Sequence, residues 1–172
     1  MNSKTNNMIK AAIFIAIGLI LPYFFHMVGM AGPVFLPMHI PVLLCGMVLG
    51  WKYGIVVGFI TPLLNSFLTG MPPLFPTGIS MACELAAYGF LSGYLYNKKR
   101  LNIMFALVLS MFGGRLISGI MNYILLTAKG NNFVFKAFLT GAFVKGFIGI
   151  IIQLILIPVV VKALEKGEKV TA

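Results

Sequence analysis

Pro62-Leu-Leu-Asn-Ser-Phe-Leu-Thr-Gly-Met-Pro-Pro-Leu-Phe-Pro-Thr-Gly-Ile-Ser-Met-Ala-Cys-Glu-Leu-Ala-Ala-Tyr88 decides how the chain is read. In it one apolar segment ends, a charge-free turn rich in Pro and Gly follows, and a second apolar segment carries Glu84. Glu84 is the only acid before Glu165. An ionised carboxylate in hydrocarbon costs several kcal/mol unless it is paired or neutralised, so its presence marks a site by default.

The surrounding composition makes that setting a membrane. Of 172 residues, 60% are hydrophobic and 9% charged, and the mean hydropathy is +1.02, whereas soluble domains carry roughly 25% charged residues. Division at polar and Gly/Pro breaks gives six apolar segments, near 8–28, 34–50, 53–70, 77–96, 102–127 and 133–163. The expected fold is an all-α integral membrane protein of six transmembrane helices in a single domain. Segment 34–50 is short for a perpendicular span of about 20 residues, and Pro37 and Pro41 predict a distorted outer end. Lys4 and Lys10 before the first apolar run resemble a signal peptide, but that run is longer than a signal core and lacks a cleavage site, so it reads as a retained helix.

The net charge of +10 would suggest nucleic acid in a soluble chain. Here the basic residues sit in breaks between apolar runs, where they act as orientation signals, and no nucleic-acid partner is expected. With the N-terminus inside, Lys4, Lys10, Lys52, Lys98, Lys99, Arg100, Lys162, Lys166 and Lys169 are cytoplasmic and only Lys129 and Lys136 are outside. That bias predicts both termini cytoplasmic and the loops near 28–34, 70–77 and 128–133 outward. Cys45 and Cys83 fall inside apolar runs and read as small buried hydrophobes.

Polar residues recur at helical spacing. Thr61, Asn65 and Thr69 form one stripe; Thr77, Ser80, Glu84 and Tyr88 form a second; Arg115, Gly119 and Asn122 share a third face, and Gly141 and Lys145 a fourth. At about 1.5 Å per residue, Glu84, Lys145 and Arg115 lie about 10, 12–15 and 18 Å from the outer ends of their helices. They share the outer half of the bilayer, where an outward-opening pocket can form. Two cations against one acid leave a surplus of +1, which favours an anionic ligand or a water-filled cavity. The blander alternative is that Glu84 pairs with Arg115 or Lys145 to let helices associate. His39, between Pro37 and Pro41, reads as a capping or pocket hydrogen-bonding residue, since no further metal ligands converge on it. No metal and no cofactor are expected. The chain has no G-x-x-x-x-G-K-[ST], H-E-x-x-H or G-x-S-x-G motif, so it is not read as an enzyme, and uphill transport would draw its energy from a partner or an ion gradient.

The pair Ala12-x-x-x-Ala16, the segment Phe35-Leu-Pro-Met-His-Ile-Pro-Val-Leu-Leu44, the run Thr61-Pro-Leu-Leu-Asn65 to Thr69-Gly-Met-Pro-Pro73, and Glu84-Leu-Ala-Ala-Tyr-Gly89 together resemble the S component, the substrate-binding membrane subunit, of an energy-coupling factor (ECF) vitamin transporter. The resemblance covers nearly the whole chain. It implies a six-helix bundle with a high-affinity site near the outer face, closed by the loops after helices one, three and five. It also implies partners: a transmembrane coupling subunit, on which Ala12 and Ala16 would dock, and two cytoplasmic ATPase subunits. The expected function is therefore a non-enzymatic binding subunit of a vitamin importer in the plasma membrane. Glu84, Arg115, Lys145, Asn65, Asn122, Tyr88, Thr69 and His39 are its expected substrate contacts. The surplus cation suits a carboxylate vitamin such as pantothenate, with folate or another heterocycle open. The rival reading is an autonomous proton-coupled secondary transporter in which Glu84 carries the proton.

Overall fold

The computed structural model describes residues 3–27, 32–130 and 134–170. Among them every regular element is helical, in the order α1 Ser3–Met27, α2 Gly32–Phe35, α3 His39–Leu49, α4 Trp51–Thr69, α5 Ile79–Gly93, α6 Ile103–Ala128, α7 Phe135–Leu139 and α8 Phe147–Val170. π-helical turns at Leu74–Gly78 and Tyr94–Lys98 flank α5, and another at Thr140–Lys145 leads from α7 towards α8. Joined across these turns, the described elements group into six helical segments that follow the six apolar segments of the sequence.

Four stretches are long and apolar enough to cross a bilayer: Lys4–Phe25, Leu74–Lys98, Ile103–Ala128 and Phe147–Lys166. The helix His39–Leu49 is shorter. Its pass is broken where Leu36 takes a left-handed backbone (φ 49°) just before Pro37, so the distortion expected from the prolines falls ahead of α3. Pro41 is accommodated in the first turn of α3, where an amide proton would have no helical acceptor.

α3 and α5 form the centre. α3 is buried from Pro41 through Met47, as expected of a helix apolar on all faces, and it packs against α1, α4, α5 and α8. α5 packs against α3, α4 and α6. Lipid supplies no hydrophobic drive between helices, so close packing must hold them, and small residues allow it. A Cβ at Gly89 of α5 would fall on the backbone of Gly54 in α4, and one at Gly58 on the carbonyl of Leu85. A Cβ at Gly46 of α3 would likewise meet Ser92 and the Gly89 carbonyl. Gly54-x-x-x-Gly58 and Gly89-x-x-x-Gly93 are small-residue pairs at helical spacing that bring three backbones together. α3 and α4 are joined by Gly50 alone, whose φ of 92° suits glycine.

Outward faces are apolar too. Phe24, Phe67, Phe105, Phe112, Ile155 and Val159 are all exposed, a surface suited to hydrocarbon rather than water. On α1, Ala11, Gly18 and Pro22 face the bundle, while Ala12 and Ala16 lie on the exposed face with Ile13, Ile17 and Ile20. At one end of the bundle, Asn97 donates to the carbonyls of Gly46 and Met47 at 3.2 and 2.8 Å, satisfying the end of α3. At the same end Tyr96 donates to Glu165, tying the end of α5 to α8.

Candidate binding site

The polar stripe of α5 meets that of α6 in an antiparallel ladder. Ser80 accepts from Asn122 Nδ2 at 2.8 Å, and Glu84 Oε1 accepts from Arg115 Nη1 at 2.6 Å. One turn further, Gly114 leaves room for the Tyr88 ring, which a Cβ there would strike. Ser118 and Tyr88 also lie beside the Glu84 carboxylate.

α3 brings the third member. The left-handed turn at Leu36 lets the His39 amide bond the Leu36 carbonyl at 3.1 Å, which sets His39 in the first turn of α3. Its ring centroid is 5.3 Å from that of Tyr88, and its Nε2 is 3.6 Å from Glu84 Oε1, too long for a hydrogen bond. His39 is 2% exposed, Glu84 3% and Arg115 9%, so three ionisable side chains meet with little water around them. The guanidinium and carboxylate satisfy each other by a charge-assisted bond. Among the described residues, three buried side-chain donor or acceptor atoms find no hydrogen-bond partner: Nδ1 and Nε2 of His39 and Nε of Arg115. Each such atom costs about 1–3 kcal/mol unless something else bonds it.

Those two residues border a cavity of about 430 Å³, within the range of sites that enclose a small organic molecule. Its polar wall is His39, Asn65, Thr77 and Arg115; its apolar wall includes Met38, Met71, Met81, Phe138 and prolines 22, 37, 72 and 73. It therefore lies where α1 and α4 finish and α3 and α5 begin, at the bundle end opposite Asn97 and Tyr96. Two further cavities, of about 320 and 490 Å³, border Arg115 towards α8 and α7, and their other walls are mostly apolar.

The residues expected from the sequence fall into distinct places. Asn65, His39 and Arg115 line the cavity. Glu84 stands one layer behind, holding Arg115. Tyr88 is 1% exposed, packs on His39 and lines the smaller cavity beside Arg115. Asn122 is engaged by Ser80 and by the Ser118 carbonyl, the latter also at 2.8 Å. Thr69 is exposed at the end of α4, donating to the Asn65 carbonyl at 2.8 Å and the Met71 carbonyl at 3.1 Å. The backbone of Lys145 closes the turn Thr140–Lys145, and its side chain, like that of His26, lies outside the described residues. The described side chains contribute one cation and one anion, and the surplus expected from Lys145 falls outside the described residues. Of the loops expected to close the pocket, 70–77 contributes Met71, Pro72, Pro73 and Thr77, while 28–31 and 131–133 lie outside the described residues. No group of three or more His, Cys, Asp and Glu side chains converges among the described residues.

Sequence reasoning did not place His39 against Glu84, nor Pro22, Met38, Met81 and Phe138 on the wall. The Gly54/Gly58 and Gly89/Gly93 pairs were the available signal that α4 and α5 pack backbone to backbone, which fixes the depth of Asn65 relative to Glu84. For Phe138 no sequence signal existed.

Searches among curated proteins and among solved structures return no match. A family described as "ECF transporter, substrate-specific component" matches residues 6–161. The matched region contains most of α1, the ion pair, the cavity and residues 147–161 of α8, so the chain belongs to the ECF transporter substrate-specific component family.

Proposed function

We propose that the cavity bordered by His39, Asn65 and Arg115 is the substrate site, and that its ligand is a water-soluble vitamin bearing a carboxylate, with pantothenate the best candidate. Family membership makes the chain the substrate-binding subunit of an ECF transporter, a multi-pass plasma-membrane protein that works with ECF membrane and ATPase components. The finer reading rests on one observation. In a mostly apolar chamber, the buried Nε–H of Arg115 and both ring nitrogens of His39 lack partners, and a ligand carboxylate supplies an acceptor for the Arg115 Nε–H and for the His39 nitrogen that carries a proton. Asn65 offers both a donor and an acceptor to a more distant part of the ligand. Glu84 holds the guanidinium in place from behind, and Asn122 with Ser80 and Ser118 fixes α5 against α6.

The nine-to-two distribution of Lys and Arg supports cytoplasmic termini, an orientation in which the cavity opens outward. Ala12 and Ala16 lie on the exposed face of α1, where small side chains admit a neighbouring helix; this is the surface proposed for the transmembrane coupling subunit, which two cytoplasmic ATPases drive. Thr69-Gly-Met-Pro-Pro73 is the proposed covering loop. Mass spectrometry of small molecules that co-purify with the detergent-solubilised chain tests the ligand class. A carboxylic acid is expected, and a stoichiometric cationic or uncharged ligand would overturn the anionic reading.

A further inference from the structure

We propose that the bundle end formed by residues 94–101 and the last turns of α8 binds one anionic phospholipid, whose phosphate lies against Arg100 and whose acyl chain follows the seam between α6 and α8. The site lies at the end of the molecule away from the substrate cavity and does not depend on what that cavity binds.

The charge at this end is lopsided. The chain holds three acids, Glu84, Glu165 and Glu168. Glu84 belongs to the buried pair, so the end beside Asn97 presents Lys52, Lys98, Lys99, Arg100, Lys162 and Lys166, all exposed, against Glu165. Glu168 and Lys169 carry opposite charges and leave that sum unchanged; their side chains lie outside the described residues. These cations stand at headgroup level. Lys52 lies over the Trp51 ring at 5.6 Å and Lys98 over the Tyr94 ring at 5.4 Å, and Trp and Tyr mark the boundary between hydrocarbon and water. Orientation in the bilayer accounts for a surplus of cations, but it does not call for a cavity built among them.

Such a cavity is present, of about 380 Å³, walled by Tyr96, Asn97, Arg100, Leu101 and Glu165. Its frame is fixed by Asn97, which donates to the end of α3, and by the Leu101 amide, which donates to the Leu95 carbonyl at 3.1 Å. Arg100 between them takes a left-handed backbone, φ 55°, a conformation that costs a residue with a Cβ and is kept where the surroundings impose it. Its guanidinium is a fork of donors matched to phosphate. Glu165 is the one acid on the wall, and Tyr96 already donates to it.

Deeper on the same seam is the mostly apolar cavity of about 320 Å³, with Val108 and Phe112 of α6 and Ile150 and Leu154 of α8 on its wall. α5 contributes to both cavities, Tyr96 to the first and Tyr88, about two turns earlier, to the second. At helical rise Val108 is about 10 Å beyond Leu101 and Leu154 about 16 Å before Glu165, while the hydrocarbon of one leaflet is about 15 Å deep. The seam is therefore charged where a headgroup lies and apolar where an acyl chain lies. A free phosphate would use only its first part.

Native mass spectrometry of the purified chain in detergent micelles, titrated with palmitoyl-oleoyl phosphatidylglycerol or with the phosphatidylcholine of the same chains, counts the lipids retained. One phosphatidylglycerol per chain is expected, held at least about tenfold more tightly than phosphatidylcholine. Arg100→Gln should weaken it about fivefold, the share of one cation at an anionic lipid, and the triple variant Lys98→Gln/Lys99→Gln/Arg100→Gln by more. Lys129→Gln/Lys136→Gln lowers the net charge at the other end and should change nothing. Glu165→Gln keeps an acceptor for Tyr96 and removes the negative charge from the wall, so it should tighten binding, a gain that a damaged fold would not give. Glycerol 3-phosphate, the headgroup chemistry without acyl chains, should not compete. Equal retention of the two lipids, unchanged affinity in the triple variant, or full competition by glycerol 3-phosphate overturns the inference. So does a triple variant that retains phosphatidylglycerol but no longer captures the coupling subunit, which would make the basic end a protein contact.

Discussion

Replacing Arg115 by Met and Glu84 by Gln, singly and together, separates the two roles the structure gives this pair. The side chains are 10% and 4% exposed and meet at 2.6 Å. Arg115→Met leaves the Glu84 carboxylate buried, with the nearest His39 nitrogen at 3.6 Å, and should destabilise the fold by about 3–5 kcal/mol. Glu84→Gln costs less, because Arg115 reaches the cavity and can draw on water there. In the double variant no buried charge remains, so its loss should be smaller than the sum of the single losses by about 2 kcal/mol or more. Unfolding by a denaturing detergent in mixed micelles measures the cycle. Ligand affinity behaves differently: Arg115→Met and the double variant should both lose at least about 2 kcal/mol, roughly 30-fold, because neither retains the guanidinium. Additive single losses would refute the buried pair as the stabilising contact. Full affinity in a stable double variant would remove Arg115 from the ligand site.

Two further outcomes concern packing and docking. Ala16→Leu, on the exposed face of α1, should leave ligand affinity unchanged while lowering the yield of assembled transporter in a pull-down with the coupling subunit; lost affinity with intact assembly would reverse the assignment. Gly89→Ala places a Cβ on the Gly54 backbone, where no rotamer change relieves it, and should destabilise by about 1–3 kcal/mol. Gly141→Ala meets nothing within 4 Å and should be neutral or slightly stabilising through helix propensity, which the same unfolding assay distinguishes.

The six helical segments were legible because a chain in hydrocarbon must satisfy its backbone within each helix, and long apolar runs between Gly/Pro breaks report that directly. Glu84 was legible as the acid of a polar site because it interrupts an apolar segment, but depth left its partner open between Arg115 and Lys145, and it is the structure that pairs it with Arg115 at 2.6 Å. The position of His39 was not legible, since it depends on the left-handed turn at Leu36, a tertiary accommodation of Pro37 that no periodicity reports. The stripes left local partners unread. Thr69 and Asn122 lie in register with the site residues, yet local carbonyls and Ser80 engage them. Spacing identifies the face of a helix but not which polar groups on it already have partners. The cavity wall of Met, Phe and Pro was invisible for the opposite reason, because in a chain that is 60% hydrophobic those residues carry no contrast.

The central claim, a binding subunit that depends on partners for energy, is tested most directly by uptake into liposomes. The chain reconstituted alone, under an imposed proton gradient, should bind pantothenate or the acid that co-purifies with it but accumulate none. Addition of the coupling subunit, the two ATPases and internal ATP should start accumulation. Gradient-driven accumulation by the isolated chain, abolished in Glu84→Gln, would contradict the account and make Glu84 a proton carrier.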